Sequence, residues 1–174
     1  LRLVVVGRLN GAKGIELLRQ AAPQLSRHAE LFLVGAGKAA EVLYGCSGVH
    51  VQLNYERDQL PAILARIRPH AALMPVTVSE TYSYTLSELW SLAIPPIASR
   101  LGALAERIED GVTGILCAPE ASAWIGQGAA LNQQRERLAA IREELLRRPP
   151  RTLAQMLEDY APLLPQGRRA AGAP

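Results

Sequence analysis

Short apolar runs alternate with helix-patterned segments from Leu1 to Cys117, and that alternation leaves few folds open. The runs are Leu3–Val6, Glu30–Val34, Val49–Leu53, Ala71–Met74, Pro96–Ser99 and Gly114–Cys117. Each is brief, apolar and followed by turn residues, as strands buried on both faces of a parallel sheet are. Between them, Gly14–Ala22 places Ile15, Leu18 and Ala22 on one helical face. Asp58–Ile67 does the same with Leu60, Ile63, Leu64 and Ile67, and Ser83–Ala93 with Leu86, Leu89, Trp90 and Ala93. The expected fold is therefore α/β: a doubly wound, Rossmann-like parallel sheet of about six strands with helices on both faces. After Pro119 the strands stop. Ala121–Arg148 reads as mostly helical and ends at Pro149-Pro150. Arg151–Leu164 can form one further helix, and Gln166–Pro174 is expected to be a disordered tail. This divides the chain into a sheet domain over 1–118, packed C-terminal helices over 119–165 and a tail over 166–174.

Composition narrows the function classes. The 174 residues favour a single sheet domain, and no apolar stretch approaches the ~20 residues that span a bilayer. The net charge of +3 is too small and too dispersed for a nucleic-acid-binding face. Its basic excess lies towards the C-terminus, where Glu143 precedes Arg147 and Glu144 precedes Arg148 by four residues. That is the spacing of a solvated, self-paired helix face. Contact of this basic stretch with an anionic membrane surface is the weaker reading. Cys46 and Cys117 form no CxxC pair, and His28, His50 and His70 are scattered, so neither a metal site nor a redox site is expected. A reducing cytoplasm fits, at the inner face of the membrane if the basic stretch meets lipid. The sheet begins at the start of the chain, which suggests a domain cut at its boundary.

Two loops carry chemistry. Gly7-Arg8-Leu9-Asn10-Gly11-Ala12-Lys13-Gly14 joins the first strand to the first helix. Glycines admit an anion close to the backbone, and a helix start offers free N–H groups. Arg8 can fork to a pyrophosphate while Lys13 adds a point charge. The second loop, Ser79–Glu88, runs from the fourth strand into a helix, with Ser83 as the expected N-cap. The N–H groups of Tyr84 and Thr85 would then face a phosphate. Glu80 and Glu88, on either side of that helix start, could accept hydrogen bonds from the hydroxyls of a sugar and of a ribose. A further loop on the same edge, Arg100–Glu106, follows the fifth strand, and Glu109–Leu116 reads as a structural turn.

Taken in order, GRL…KG, an E-x7-E motif, IAS-x-x-G and EDGVTGIL resemble the C-terminal domain of the group 1 retaining glycosyltransferases, which have the GT-B fold. The resemblance covers Leu1 to Cys117. It implies binding of a nucleotide-diphosphate sugar and transfer of the sugar, with retention, to a glycan or lipid-linked acceptor. It further implies that Arg8 and Lys13 neutralise the leaving diphosphate and that Glu80 holds the transferred sugar. Tyr84 and Thr85 would receive the phosphate, with Gly7 and Ser83 shaping the pocket, and Glu88 would bind the ribose. No cofactor, metal or protein nucleophile is implied, because the leaving diphosphate itself assists deprotonation of the acceptor. The acceptor-binding N-terminal domain of such enzymes would be missing from this chain, and a bacterial polysaccharide or lipopolysaccharide is the expected product class.

The motifs depart from the family pattern in places. Tyr82-Ser83 stands where Phe-Gly is usual, and Glu88–Pro95 lacks the usual glycine, leaving Ser83 and Ile94 as departures that could crowd the sugar. Two alternatives therefore stand. One is a non-catalytic domain that binds a sugar nucleotide or a partner. The other is an NAD-type dinucleotide site, on the GxGxxA match in Val34–Ala40, although that match follows the second strand instead of the first.

Overall fold

The structure, a computed structural model, describes residues 1–148 together with Gln155, Glu158 and Pro162. Its sheet has six parallel strands: β1 (Arg2–Val6), β2 (Glu30–Val34), β3 (Val49–Gln52), β4 (Ala71–Met74), β5 (Pro96–Ser99) and β6 (Ile115–Cys117). Their spatial order is β3-β2-β1-β4-β5-β6, the doubly wound arrangement expected from the alternation. The register pairs Val4 with Phe32 on one side and with Ala72 on the other.

Side chains along each strand point to alternate faces, and this sorts the core into two layers. Leu3 and Val5 of β1, Leu31 and Leu33 of β2, and Leu73 of β4 pack on one face. They meet Leu17, Leu18 and Leu25 of α1 (Ile15–Leu25), Trp124 and Leu131 of α5 (Ala121–Gln133), and Leu138, Ile141 and Leu145 of α6 (Glu136–Arg147). Val4, Val34, Ala72, Met74 and Ala98 pack on the other face. They meet Leu60, Ile63 and Leu64 of α2 (Leu60–Ile67), Leu86 and Leu89 of α3 (Tyr84–Ser91), and Leu104 of α4 (Gly102–Arg107). Each fully buried leucine contributes about 1.5–3 kcal/mol, so both layers are needed to hold the sheet.

The elements differ from the sequence expectation mainly at their ends. α1 runs on to Leu25 with Pro23 in its last turn. The segment expected as a helix from Asp58 opens as a 3₁₀ turn over Arg57–Gln59 before α2 begins. The helical stretch 121–148 is two helices, broken at Gln134–Arg135, where no proline or glycine marks the break. The six-residue α4 was not expected as a helix. The Glu144–Arg148 pair forms at 2.5 Å, whereas Arg147 turns to Glu144 instead of pairing with Glu143. The expected helix over 151–164 and tail over 166–174 lie outside the described residues, apart from Gln155, Glu158 and Pro162.

Candidate functional site

β1 and β4 are neighbours, yet the helices that follow them pack on opposite faces of the sheet, α1 on one and α3 on the other. Their loops therefore diverge and leave a crevice at the carboxyl ends of the strands, where ligands bind in such sheets. The Gly7–Gly14 loop is fixed by its neighbours: Gly7 N–H donates to the Val34 carbonyl and Leu9 N–H to the Ala36 carbonyl, both at 2.9 Å. Thr77, after β4, donates its hydroxyl to the Gly11 carbonyl at 2.8 Å and its N–H to the Ala12 carbonyl at 2.9 Å. Gly14 has φ +80°, and a Cβ there would sit 1.8 Å from the Pro75 carbonyl oxygen, so only glycine fits.

Across the crevice, Lys13 of the first loop and Glu80 of the second form an ion pair. The Glu80 side chain is largely covered, at 19% exposure. Arg8 is exposed and has no ion-pair partner among the described residues. Ser83 occupies the N-cap position of α3, but its side chain makes no capping hydrogen bond. Its φ of +70° is the left-handed conformation that glycine favours, and its buried Oγ has no partner. The serine thus keeps a glycine-like backbone, with its side chain buried and outside the lining of the hollow described below. The second positive φ in the motif belongs to Ala93, at +50°, so the missing glycine corresponds to Ala93, one residue before Ile94.

A hollow of about 430 Å³ opens here, lined by Gly7, Arg8, Tyr84, Thr85 and Glu88 among the expected site residues. Lys13 and Glu80 pair at the same edge, and Ser83 lies buried beneath. The hollow's far wall was not expected: Gly35 after β2, and Leu53, Asn54, Tyr55 and Arg57 after β3. Arg57 donates to Glu88 at 2.7 Å. Burial, and then the Glu88 carboxylate, push the Tyr55 hydroxyl up, so it remains a protonated donor. The signal available for this wall was positional, since every loop after a parallel strand reaches the same edge. The Val34–Ala40 glycines serve this wall as well. A Cβ on Gly35 would meet the Tyr55 ring at 2.2 Å, and one on Gly37 would meet Arg8 Cγ at 3.0 Å. The residues after them form a 3₁₀ helix, Lys38–Leu43, instead of the α-helix of a dinucleotide fingerprint.

Arg100, from the other loop on this edge, is committed elsewhere, to Asp110 at 2.5 Å. A larger hollow of about 850 Å³, lined by Arg2, His70, Ile94, Arg135 and Arg142, lies at the amino ends of the strands, away from these loops. Among the described residues, no group of three His, Cys, Asp or Glu is placed to hold a metal ion, and no helix is long and apolar enough to cross a membrane.

The family model of the group 1 glycosyl transferases matches residues 1–133. The chain belongs to this family. No curated protein sequence matches the chain. Solved structures share the fold of this chain. The Anabaena protein Alr3699/HepE in complex with UDP and glucose is 17% identical, with a TM-score of 0.77 over 93% of this chain and 47% of that one. The same protein with UDP gives a TM-score of 0.74 at 19% identity, over 94% of this chain and 49% of that one. A glycosyltransferase from Rickettsia africae ESF-5 gives 0.70 at 16% identity, over 93% of this chain and 46% of that one. The group 1 chain thus spans about half the length of the structures it matches.

Proposed function

We propose that this chain is the donor-binding half of a retaining, metal-independent group 1 glycosyltransferase. The observation that carries the reading is the meeting of Arg8, the α3 start and Glu88 around one hollow at the β1/β4 switch point. In this reading the donor diphosphate lies against the Tyr84 and Thr85 N–H groups, which carry the positive end of the helix dipole. Arg8 and Lys13 stabilise the negative charge that grows on the diphosphate as the glycosidic bond breaks. Glu88 accepts from the ribose hydroxyls, with Arg57 holding its carboxylate in place. Glu80 accepts from hydroxyls of the sugar, and its pairing with Lys13 orients both groups across the crevice. The leaving diphosphate takes the acceptor proton, so no further base is required of this chain. The acceptor would be held by a second domain that closes over this edge and excludes water. A glycan or lipid-linked glycan of a bacterial surface polymer is the proposed acceptor class, and the cytoplasm, against the inner membrane face, the proposed location.

The structurally similar Anabaena protein is described in complex with UDP and with UDP-glucose, which supports a nucleoside diphosphate as the ligand here. The test is calorimetric titration of the chain with UDP, GDP and ADP. One of them is expected to bind, and Glu88→Ala to weaken that binding about tenfold, the effect of losing a charged hydrogen-bond acceptor. Equal binding by wild type and Glu88→Ala would remove Glu88 from the site. With no binding of any of the three by the folded chain, a non-catalytic role replaces this reading.

A further inference from the structure

The loop between Glu80 and α3 is held by a residue outside the motif. Arg107, in the last turn of α4, donates from one guanidinium nitrogen to the Tyr82 carbonyl at 2.6 Å and to the Ser83 carbonyl at 3.1 Å. Its other terminal nitrogen donates to Ser87 Oγ, one turn into α3, at 2.9 Å. The guanidinium plane sits 4.2 Å from the Tyr82 ring centre and 5.2 Å from that of Trp90. One half-buried side chain thereby ties together the loop, the left-handed Ser83 and the first turns of α3. No carboxylate pairs with Arg107 among the described residues, so its charge is left to the carbonyls and rings it touches.

We propose that Arg107 is a positioning residue for the donor diphosphate. It holds Ser83 at a φ of +70° so that the N–H groups of Tyr84 and Thr85 face the crevice. A glycine would adopt that conformation unaided, whereas a serine needs to be held there. Guanidinium geometry is required, because two carbonyls, a hydroxyl and two rings are engaged at once, and a lysine ammonium has no such fork. The inference rests on the donor-site reading above, and the experiment separates the two.

Arg107→Ala, Arg107→Lys and the double variant Arg107→Ala with Ser83→Gly are compared with wild type in the 174-residue chain. Two quantities are read: affinity for UDP (or for GDP or ADP, whichever wild type binds) and hydrogen exchange of the amides from Thr81 to Thr85 without nucleotide. Arg107→Ala is expected to lose about tenfold or more in affinity, from the loss of charge-assisted hydrogen bonds, and to exchange faster in that segment alone. Arg107→Lys, the variant that keeps the charge if the alanine form does not fold, is expected to recover only part. Ser83→Gly is expected to restore affinity in the Arg107→Ala background, which a residue needed only for stability would not permit. Wild-type affinity in Arg107→Ala, or failure of Ser83→Gly to restore it, overturns the proposal. If wild type binds none of the nucleotides, the donor reading fails on its own, and unchanged exchange in Arg107→Ala still overturns the clamp.

Discussion

Positive φ at a residue with a side chain costs energy that the surrounding structure must offset, and the three such residues among the described ones do so differently. Ser83 is held by Arg107, which donates to its carbonyl at 3.1 Å. Ala93, at +50°, closes the turn between α3 and β5 with its methyl buried in the core. Arg68, at +50°, ends α2 on the surface and directly precedes Pro69. A glycine is the usual occupant of such a helix end. Arg68→Gly is therefore expected to raise stability by about 0.5–1 kcal/mol in urea unfolding, and a loss would show that the arginine side chain contributes more than its backbone costs. His70 is a second residue whose environment can be tested. Burial, and then the charges of Arg2 and Arg135, hold its imidazole below the usual histidine range, while its unprotonated Nδ1 accepts the Arg2 N–H at 2.9 Å. Below about pH 6.5 the unfolded chain takes up a proton that the folded chain resists, so stability present above that pH falls as pH drops. Unfolding at pH 7.5 and pH 5.5 is expected to show a larger loss in wild type than in His70→Gln, and equal losses would contradict it. The sequence could name the candidate residues because charge and hydroxyl types are visible in it. The spacing from Glu88 to Pro95 already put the missing glycine at Ala93, so naming Ile94 was a miscount of one position that the positive φ of Ala93 exposes.

At the scale of elements, α4 organises the site without lining it. Its first turn accepts the loop, since Ala103 N–H donates to the Glu80 carbonyl at 3.0 Å, and its last turn supplies Arg107. Gly102 makes the first contact possible: it has φ +46°, and a Cβ there would meet the Glu80 carbonyl oxygen and Ser79 Cβ, each at 2.9 Å. Gly102→Ala is expected to cost about 1–2 kcal/mol in unfolding free energy and to weaken nucleotide binding as Glu80 is displaced. Unaltered binding with reduced stability would mean that the loop does not depend on α4. This helix escaped the sequence reading because six residues give less than two turns of periodicity, too little to distinguish a helix from a loop. The strands were legible for the opposite reason. Leu3–Val6, Leu31–Val34, Ala71–Met74 and Ile115–Cys117 are apolar throughout, and Val49–Gln52 alternates. The break between α5 and α6 was not legible, because Asn132-Gln133-Gln134-Arg135 contains no residue that forbids a helix.

At the scale of the molecule, two hollows compete for the role of ligand site. The larger lies at the amino ends of the strands, bounded by Arg2, Arg68, Arg135 and Arg142. The smaller lies at the carboxyl ends, where strand order reverses. Topology favours the smaller, because ligands of open α/β sheets bind outside the carboxyl ends of the strands where the strand order reverses, and the start of α3 lies in its wall. Size alone favours the larger. The wall built from Tyr55 and Arg57 depends on β3 lying beside β2, a tertiary fact that no local pattern in the sequence contains. The direct measurement is a titration of the isotope-labelled chain with the nucleoside diphosphate that binds it, followed by backbone amide NMR. The largest shifts are expected at Gly7, Arg8, Tyr84, Thr85 and Glu88, with His70, Arg135 and Arg142 unmoved. Shifts concentrated at His70, Arg135 and Arg142 would place the ligand at the wrong end of the sheet and contradict it.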